Sequence, residues 1–190
     1  MIVNMIIQAR MGSTRCPGKV MRDIGGKPMI GYLLDEMERC NAIDRIVVAI
    51  PEEDDDSILF EYLKKRPVRF CAPRGVATDD VAGRFVACLK VWQCDAFVRV
   101  CADSPMLRHD LVDWVVAWFK DRRGHYVLAQ DDFGAVEVCD TGAFLSLPAF
   151  FHEEREHVTT RLRNGRFIID TEEDFERVAK IVMAERCAPV

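Results

Sequence analysis

The sequence has no apolar run near the roughly 20 residues that cross a bilayer, and its apolar start, MIVNMII, lacks the basic segment that opens a secretory signal. It has no basic excess either, because 31 acidic and 26 basic side chains give a formal net charge of −5. Broad nucleic-acid-binding faces concentrate Lys and Arg. We therefore expect a cytoplasmic protein with no nucleic-acid and no membrane partner, whose anion sites are local.

The eight cysteines form no recognisable disulfide or zinc framework. No pair has the spacing C-x-x-C, and the chain is not a short secreted one. We expect reduced thiols, most of them in the core. Internal repeats, low-complexity segments and Pro/Gly/Ser-rich linkers are also missing. With 49% hydrophobic residues, 190 residues suffice for one domain with a sizeable core.

Strand-like apolar runs alternate with helical patterns along most of the chain. Because these strands are continuously apolar, they predict a parallel sheet with helices on both faces, that is, a single three-layer α/β/α domain. The predicted strands are VNMIIQA, RIVVAI, VRFCA, AFVRVCA and, later, a short RFIID. The predicted helices cover residues 28–40, 56–65, 79–92, 108–122 and 153–163, and a last helix that Thr171 can N-cap.

The loop QARMGSTRCPGK follows the first predicted strand and has the composition of a phosphate site. It is not a Walker A loop, because five residues separate Gly12 from Gly18 and Val20 follows Lys19. In open α/β sheets, however, ligands bind beyond the carboxyl ends of the strands, where this loop lies. The alternative is a solvated loop whose cations pair with surface carboxylates. The position of the whole motif favours a triphosphate.

The longer stretch QARMGSTRCPGKVMRDIGGKPMI resembles the N-terminal signature of cytidylyltransferases that activate acidic sugars, the CMP-Kdo and CMP-acylneuraminate synthetases and, above all, the SpsF-type proteins. The resemblance implies a Rossmann-like nucleotide-diphospho-sugar transferase (GT-A-like) fold with a mostly parallel mixed sheet. It also implies use of CTP with Mg²⁺ and release of pyrophosphate. The residues it assigns to the triphosphate are Arg10, Gly12, Ser13, Arg15 and Lys19, with Lys19 nearest the α-phosphate.

Two aspartates lie at predicted strand ends, where a metal for phosphoryl transfer is needed. Asp103 follows AFVRVCA, and Asp170 ends RFIID. Mg²⁺ takes one or two carboxylates together with water and phosphate oxygens. Taken alone, Asp103 could begin an Asp-Ser-Pro turn and Asp170 could cap the last helix. The resemblance of ADSP and IDTEEDFERV to family motifs makes both of them magnesium ligands, and Lys19, Arg10 and Asp103 the expected catalytic residues.

Three weaker candidates come from RGVATDDVAGRF, which resembles a stretch of SpsF-type proteins near the nucleotide. They are Asp79, Asp80 and Arg84. A purely structural interpretation explains the same residues: Thr78 or Asp79 caps a helix, and Arg84 is a surface residue of that helix. Both interpretations stay open at the level of sequence.

The acceptor side is less well defined. EHVT resembles a family segment near the sugar pocket, which makes Glu156 and His157 substrate-side candidates, although a solvated charged helix start explains them equally well. FGAVEV partly matches a further motif and adds Glu137. Compared with typical members, the chain is shorter between Val127 and Glu153, and again before RFIID. The resemblance thus implies one domain, 1–190, with a complete nucleotide half (1–107) and a reduced acceptor half (108–190).

These observations predict Mg²⁺-dependent transfer of CMP from CTP to an acidic sugar or similar small anionic acceptor, in surface polysaccharide or glycoconjugate biosynthesis. The reduced acceptor half suggests a smaller acceptor, or a pocket wall supplied by another subunit, such as a homodimer partner. Two rivals remain. One is a nucleotidyl- or glycosyltransferase of the same fold that uses another base, and the other is a non-catalytic nucleotide-binding protein.

Overall fold

A mixed sheet organises the part of the chain that the computed structural model describes, residues 1–54, 57–122, 124–146 and 167–187. Its six strands stand in the order β3-β2-β1-β4-β6-β5. The first four strands along the chain are mutually parallel, and β6 runs antiparallel to both β4 and β5. The strands are β1 (Val3–Gln8), β2 (Arg45–Ala49), β3 (Arg69–Cys71), β4 (Ala96–Cys101), β5 (Tyr126–Gln130) and β6 (Ala135–Asp140). The predicted mostly parallel mixed sheet is confirmed.

Helices cover both faces of this sheet because successive strand side chains point to opposite sides. On β1, Met5 and Ile7 join one apolar cluster and Ile6 joins the other. The first cluster is completed by α1 (Met29–Met37), α2 (Ile58–Leu63), α4 (His109–Arg122) and α6 (Glu172–Cys187), and the second by α3 (Val81–Val91) and α5 (Thr141–Ser146). The three-layer prediction is confirmed. Within the described ranges, no helix is both long enough and apolar enough to cross a membrane.

The loop after β1 folds back on itself before a short 3-10 turn, Lys19–Met21. The carbonyl of Met11 accepts hydrogen bonds from the amides of Ser13 (2.9 Å) and Gly18 (3.0 Å). Gly18 has a φ of 65°, a left-handed conformation that favours glycine. This turn directs Lys19 back toward the sheet edge.

The predicted strand RFIID is wrong for its described part, residues 167–170, which form no strand. Phe167 donates its amide to the carbonyl of Asp132 at 3.0 Å, and Ile169 donates to the carbonyl of Asp103 at 2.9 Å. One hydrogen bond to each of two different segments does not make a β-ladder. Residues 167–170 are therefore a connecting segment that hydrogen bonds hold at two points. The predicted helix 153–163 lies outside the described residues.

Helix α6 begins with the cap predicted for Thr171. The Thr171 hydroxyl oxygen accepts from the amide of Asp174 at 3.2 Å, and the Asp174 carboxylate accepts from both the hydroxyl (2.8 Å) and the amide (3.1 Å) of Thr171. This reciprocal arrangement satisfies donors that a helix start leaves unpaired. The capping residue is Thr171, which leaves the neighbouring Asp170 carboxylate available for other contacts.

The pKa of Asp174 gives a prediction for acid stability. The hydrogen bond from Arg177, assisted by those from Thr171, lowers the pKa of Asp174 to about 2. A depressed folded-state pKa contributes stability above the ordinary carboxyl pKa of about 4, and this contribution is lost as pH falls toward about 2. Asp174→Asn should therefore lower the free energy of unfolding by about 1 to 2 kcal/mol near neutral pH, as measured by denaturant titration.

The difference between wild type and Asp174→Asn should shrink as the pH falls from about 4 to about 2. Glu176→Gln is the matched control, since Glu176 is an exposed carboxylate of the same helix. A difference that stayed constant over this range would show that the charge of Asp174 is not responsible.

Candidate active site

A cavity of about 310 Å³ opens at the carboxyl edge of the sheet, where β1 and β4 end side by side. Because parallel neighbouring strands end at the same edge, the residues that follow them meet there. The cavity wall contains most of the predicted nucleotide and metal residues. These are Arg10, Ser13, Arg15, Lys19, Asp79, Arg84, Asp103 and Asp170.

Lys19 stands between the two aspartates predicted as metal ligands. Its Nζ lies 3.4 Å from Oδ2 of Asp103 and 3.7 Å from Oδ1 of Asp170, and it also donates to the carbonyl of Ile169. Arg15 reaches the same Asp170 oxygen at 3.3 Å. The loop after β1 and the connector before α6 thus meet through charges of opposite sign.

The Asp103 carboxylate lies in a poorly solvated place. Burial raises its pKa, Lys19 partly offsets that effect, and the negative charge of Asp170 raises the pKa further. A buried carboxylate whose ionisation is disfavoured by a second negative charge lies where a cation is strongly stabilising. Cys101 also lines the cavity, and burial together with Asp103 raises its pKa to about 12, so its thiol stays neutral.

The donor set fits Mg²⁺ that is bound together with phosphates. Throughout the described part of the chain, no three His, Cys, Asp or Glu side chains are grouped so that they could hold a metal by themselves. Mg²⁺ commonly takes one or two protein carboxylates and completes its shell with water and substrate phosphates. Asp103 and Asp170 could supply those carboxylates, and the ligand's phosphates would supply the rest.

Arg84 is buried, so the interpretation of it as a surface helix residue is wrong. Its side chain is 2% exposed and donates to the carbonyls of Thr78 (2.5 Å) and Ala77 (3.5 Å). Burial lowers the pKa of Arg84, and the positive charge of Arg10 lowers it further. Its Nε finds no hydrogen-bond partner among the described residues. A buried cation with an unused donor beside a cavity is suited to an anionic ligand.

Comparison with known proteins agrees with this geometry. The sequence profile of the family named Cytidylyltransferase matches residues 4–144. The chain belongs to the cytidylyltransferase family. The class of enzyme predicted from the sequence, a CTP-using nucleotidyltransferase, is the class of this family, and the predicted resemblance is confirmed.

Individual relatives differ in how much of their length is matched. The chain is 27% identical to the spore coat polysaccharide biosynthesis protein SpsF of Bacillus subtilis over 202 residues, 91% of this chain and 83% of SpsF. It is 31% identical to 3-deoxy-manno-octulosonate cytidylyltransferase 2 of Hydrogenovibrio crunogenus over 118 residues, 61% of this chain and 46% of that protein. A cytidylyltransferase structure from Leptospira borgpetersenii superposes with a TM-score of 0.85 at 22% identity, covering 97% and 87% of the two chains. The last similarity supports the fold.

Two predicted residues of this cytidylyltransferase lie beside the cavity without lining it. Asp80 caps α3 by accepting the Gly83 amide at 2.8 Å, a cap that the sequence placed at Thr78 or Asp79. Gly12 has an exposed backbone with ordinary φ, and a Cβ there would meet no described atom within 4 Å. Their contact with a nucleotide stays a prediction.

Glu137 lies on β6 and is connected to the cavity through the side chains of Arg99 and Gln8. Its carboxylate pairs with Arg99 and accepts the Tyr126 hydroxyl at 2.7 Å. Arg99 in turn donates to the side chain of Gln8 at 3.1 Å, and Gln8 lines the cavity. A chain of polar contacts thus links Glu137 to the site. The other acceptor-side candidates, Glu156 and His157, lie outside the described residues.

Sequence reasoning did not single out Gln8 or Cys101 as site residues, yet both also line the cavity of this cytidylyltransferase. Gln8 and Cys101 are register partners at the ends of β1 and β4. The sequence did contain a signal for both residues. Each stands at the end of an apolar strand that leads into a predicted functional loop.

Proposed function

We propose that this cytidylyltransferase transfers CMP from CTP to a small acidic sugar or similar anionic acceptor and releases pyrophosphate, with Mg²⁺ as cofactor. The observation that carries the proposal is the meeting of Lys19 with Asp103 and Asp170 in one cavity, at distances of 3.4 and 3.7 Å. Cations for phosphates and carboxylates for a metal are the two parts that phosphoryl transfer requires.

In the proposed reaction, an acceptor hydroxyl oxygen forms a bond to the α-phosphorus and loses its proton to solvent, while the bond from the α-phosphorus to the bridging oxygen breaks and pyrophosphate leaves with the bonding electrons. Arg10, Arg15 and Lys19 offset the negative charge of the triphosphate and of the leaving pyrophosphate. Asp103 and Asp170 would hold Mg²⁺, which supplies Lewis-acid stabilisation of the phosphate oxygens when it is bound. The protein's own contribution is positioning and charge compensation in a partly desolvated site.

The division into a nucleotide half and an acceptor half is part of the proposal. Apart from Asp170, the residues that line the cavity come from positions 8–103. Glu137, linked to the cavity through Arg99 and Gln8, is the acceptor-side residue that the described part offers. A homodimer partner could complete the acceptor pocket. The described cysteines are free thiols, a state typical of the reducing cytoplasm in which we place the protein.

A pyrophosphate-release screen tests the function. Purified protein is incubated with CTP, Mg²⁺ and a panel of eight- and nine-carbon sugar acids, smaller sugar acids and matched neutral sugars. We expect release of pyrophosphate with CTP and an acidic acceptor. We expect much less release with the matched neutral sugar. If CTP binds but no acceptor releases pyrophosphate, the protein is the non-catalytic nucleotide-binding rival. Release with another nucleotide in place of CTP would favour the rival of the same fold.

A further inference from the structure

Three consecutive carboxylates form a short 3-10 turn, Glu52–Asp54, between β2 and α2. In sequence the run PEEDDDS is typical of a solvated acidic surface. In the structure each carboxylate of the turn accepts a hydrogen bond from a neighbouring loop. Glu52 accepts from the Gly75 amide at 2.8 Å, Glu53 from the Thr78 hydroxyl, and Asp54 from the Met11 amide at 2.8 Å.

The two loops held by this acidic turn are those that bring cations to the cavity. Met11 directly follows Arg10, and the carbonyl of Thr78 receives the guanidinium of Arg84. Arg10 and Arg84 both line the cavity, whereas Asp54 is not among the residues that line it. The acidic turn therefore connects the loop after β1 with the loop before α3, and none of its three residues lines the cavity.

Asp54 is the member of the turn with the most constrained surroundings. It is 6% exposed, and its main-chain carbonyl accepts the amide (3.1 Å) and the hydroxyl (2.7 Å) of Ser57, the N-cap of α2. Burial raises the pKa of Asp54, while the Met11 amide and the charges of Arg84 and Arg10 act in the opposite direction. A buried carboxylate fixed to α2 thus holds the backbone of the loop after β1.

The electrostatics agree with this placement. Arg10 and Arg84 are close enough for the first to lower the pKa of the second, so they repel each other before any anion is bound. The Asp54 carboxylate carries the opposite charge and is near both. Holding repelling cations in their binding positions before the ligand arrives is preorganisation, which reduces the cost of binding.

We propose that Asp54 is a positioning residue that fixes the loop after β1, through the Met11 amide, at the place where Arg10 can share a nucleoside triphosphate with Arg84. The inference rests on the proposed function. Asp54 acts on affinity for the nucleotide through the loop backbone and does not touch the ligand.

Calorimetric titration of CTP with Mg²⁺ into wild type, Asp54→Ala and Asp54→Asn tests the proposal. Asp54→Ala removes the acceptor of the Met11 amide and should raise the Kd for CTP about tenfold or more. Asn keeps an acceptor oxygen at the same place but lacks the charge that faces Arg10 and Arg84, so the Kd of Asp54→Asn should lie between those of Asp54→Ala and wild type. Rescue by the amide separates positioning from a general loss of stability.

Asp44→Ala is the matched control. Asp44 accepts the backbone amide of Val3 at 2.7 Å, the same kind of contact at the opposite end of β1. Its removal should lower the melting temperature and leave the Kd of the folded protein unchanged.

Each other outcome overturns the proposal in its own way. Equal Kd values for wild type and Asp54→Ala, with a lower melting temperature, would show a purely structural residue. An Asp54→Asn variant that binds as weakly as Asp54→Ala would exclude the Met11 hydrogen bond as the agent. If wild type bound no nucleotide, the proposed function would fall together with this inference.

Discussion

Asp103→Asn should reduce CTP-dependent pyrophosphate release by roughly a hundredfold or more, measured with the acceptor that the screen identifies. Asp103 stands at the end of β4, 3.4 Å from the ammonium of Lys19 and on the cavity wall. Asparagine keeps the shape of the side chain and removes the charge that would hold Mg²⁺ and orient Lys19. Because burial raises the pKa of Asp103, ionising this carboxyl costs the folded protein free energy, and its removal should leave the melting temperature within a few degrees of wild type.

The control for this prediction is Asp110→Asn. Asp110 is an exposed carboxylate that pairs with Arg108 at 2.7 Å and does not line the cavity, so its loss should leave turnover unchanged. Turnover by Asp103→Asn close to that of wild type would contradict the assignment of Asp103 as a catalytic residue.

Lys19→Met should weaken CTP binding on the order of 10- to 100-fold and reduce turnover at least as strongly. The Lys19 side chain is 12% exposed and is surrounded by Asp103, Asp170 and the carbonyl of Ile169. A cation in so poorly solvated a place is worth more to an incoming triphosphate than an exposed one. Lys64→Met, which removes an exposed lysine paired with Glu61 at 3.0 Å, is the matched control in the same titration.

Lys19→Met should bind a metal ion more tightly than wild type when no nucleotide is present. In the nucleotide-free protein, Lys19 compensates the charges of Asp103 and Asp170. Its replacement leaves two carboxylates with less compensation, so Mn²⁺ should bind nucleotide-free Lys19→Met more tightly than wild type, as followed by the electron paramagnetic resonance signal of free Mn²⁺. Equal Mn²⁺ affinities would show that the ammonium and the metal do not compete for these carboxylates.

The alternation of strands and helices up to about residue 122 and the position of the first loop were predictable because they depend on local patterns, whereas β5 and β6 were not among the predicted strands. Continuous apolar runs such as Val3–Gln8 and Ala96–Cys101 indicate buried parallel strands. Asp103 follows the second of these runs directly, so its place at the sheet edge needs no knowledge of the rest of the fold.

Other features depend on contacts between distant segments, which local patterns do not show. RFIID is apolar and short enough to be a strand, yet its described part bonds to the Asp103 and Asp132 backbones one residue at a time. Arg84 could be a surface helix residue by its sequence, but it is buried and its guanidinium donates to the main-chain carbonyls of Ala77 and Thr78. Tertiary contacts overrode the local preference in both places.

The role of the Asp54 carboxylate also depends on a distant contact that the sequence does not show. Within PEEDDDS nothing distinguishes it from its neighbours, since the residue that it serves, Met11, lies 43 positions away. The sequence could indicate that an acidic turn follows β2, but not that the turn accepts hydrogen bonds from the loop after β1 and the loop before α3.

Calorimetric binding of CTP, UTP, ATP and GTP to the wild-type protein, with and without Mg²⁺, tests the central claim most directly. The account predicts that CTP binds most tightly and that Mg²⁺ strengthens its binding, because Asp103 and Asp170 need a cation shared with the phosphates. Failure of all four nucleotides to bind, or binding without preference for CTP and without dependence on Mg²⁺, would contradict it.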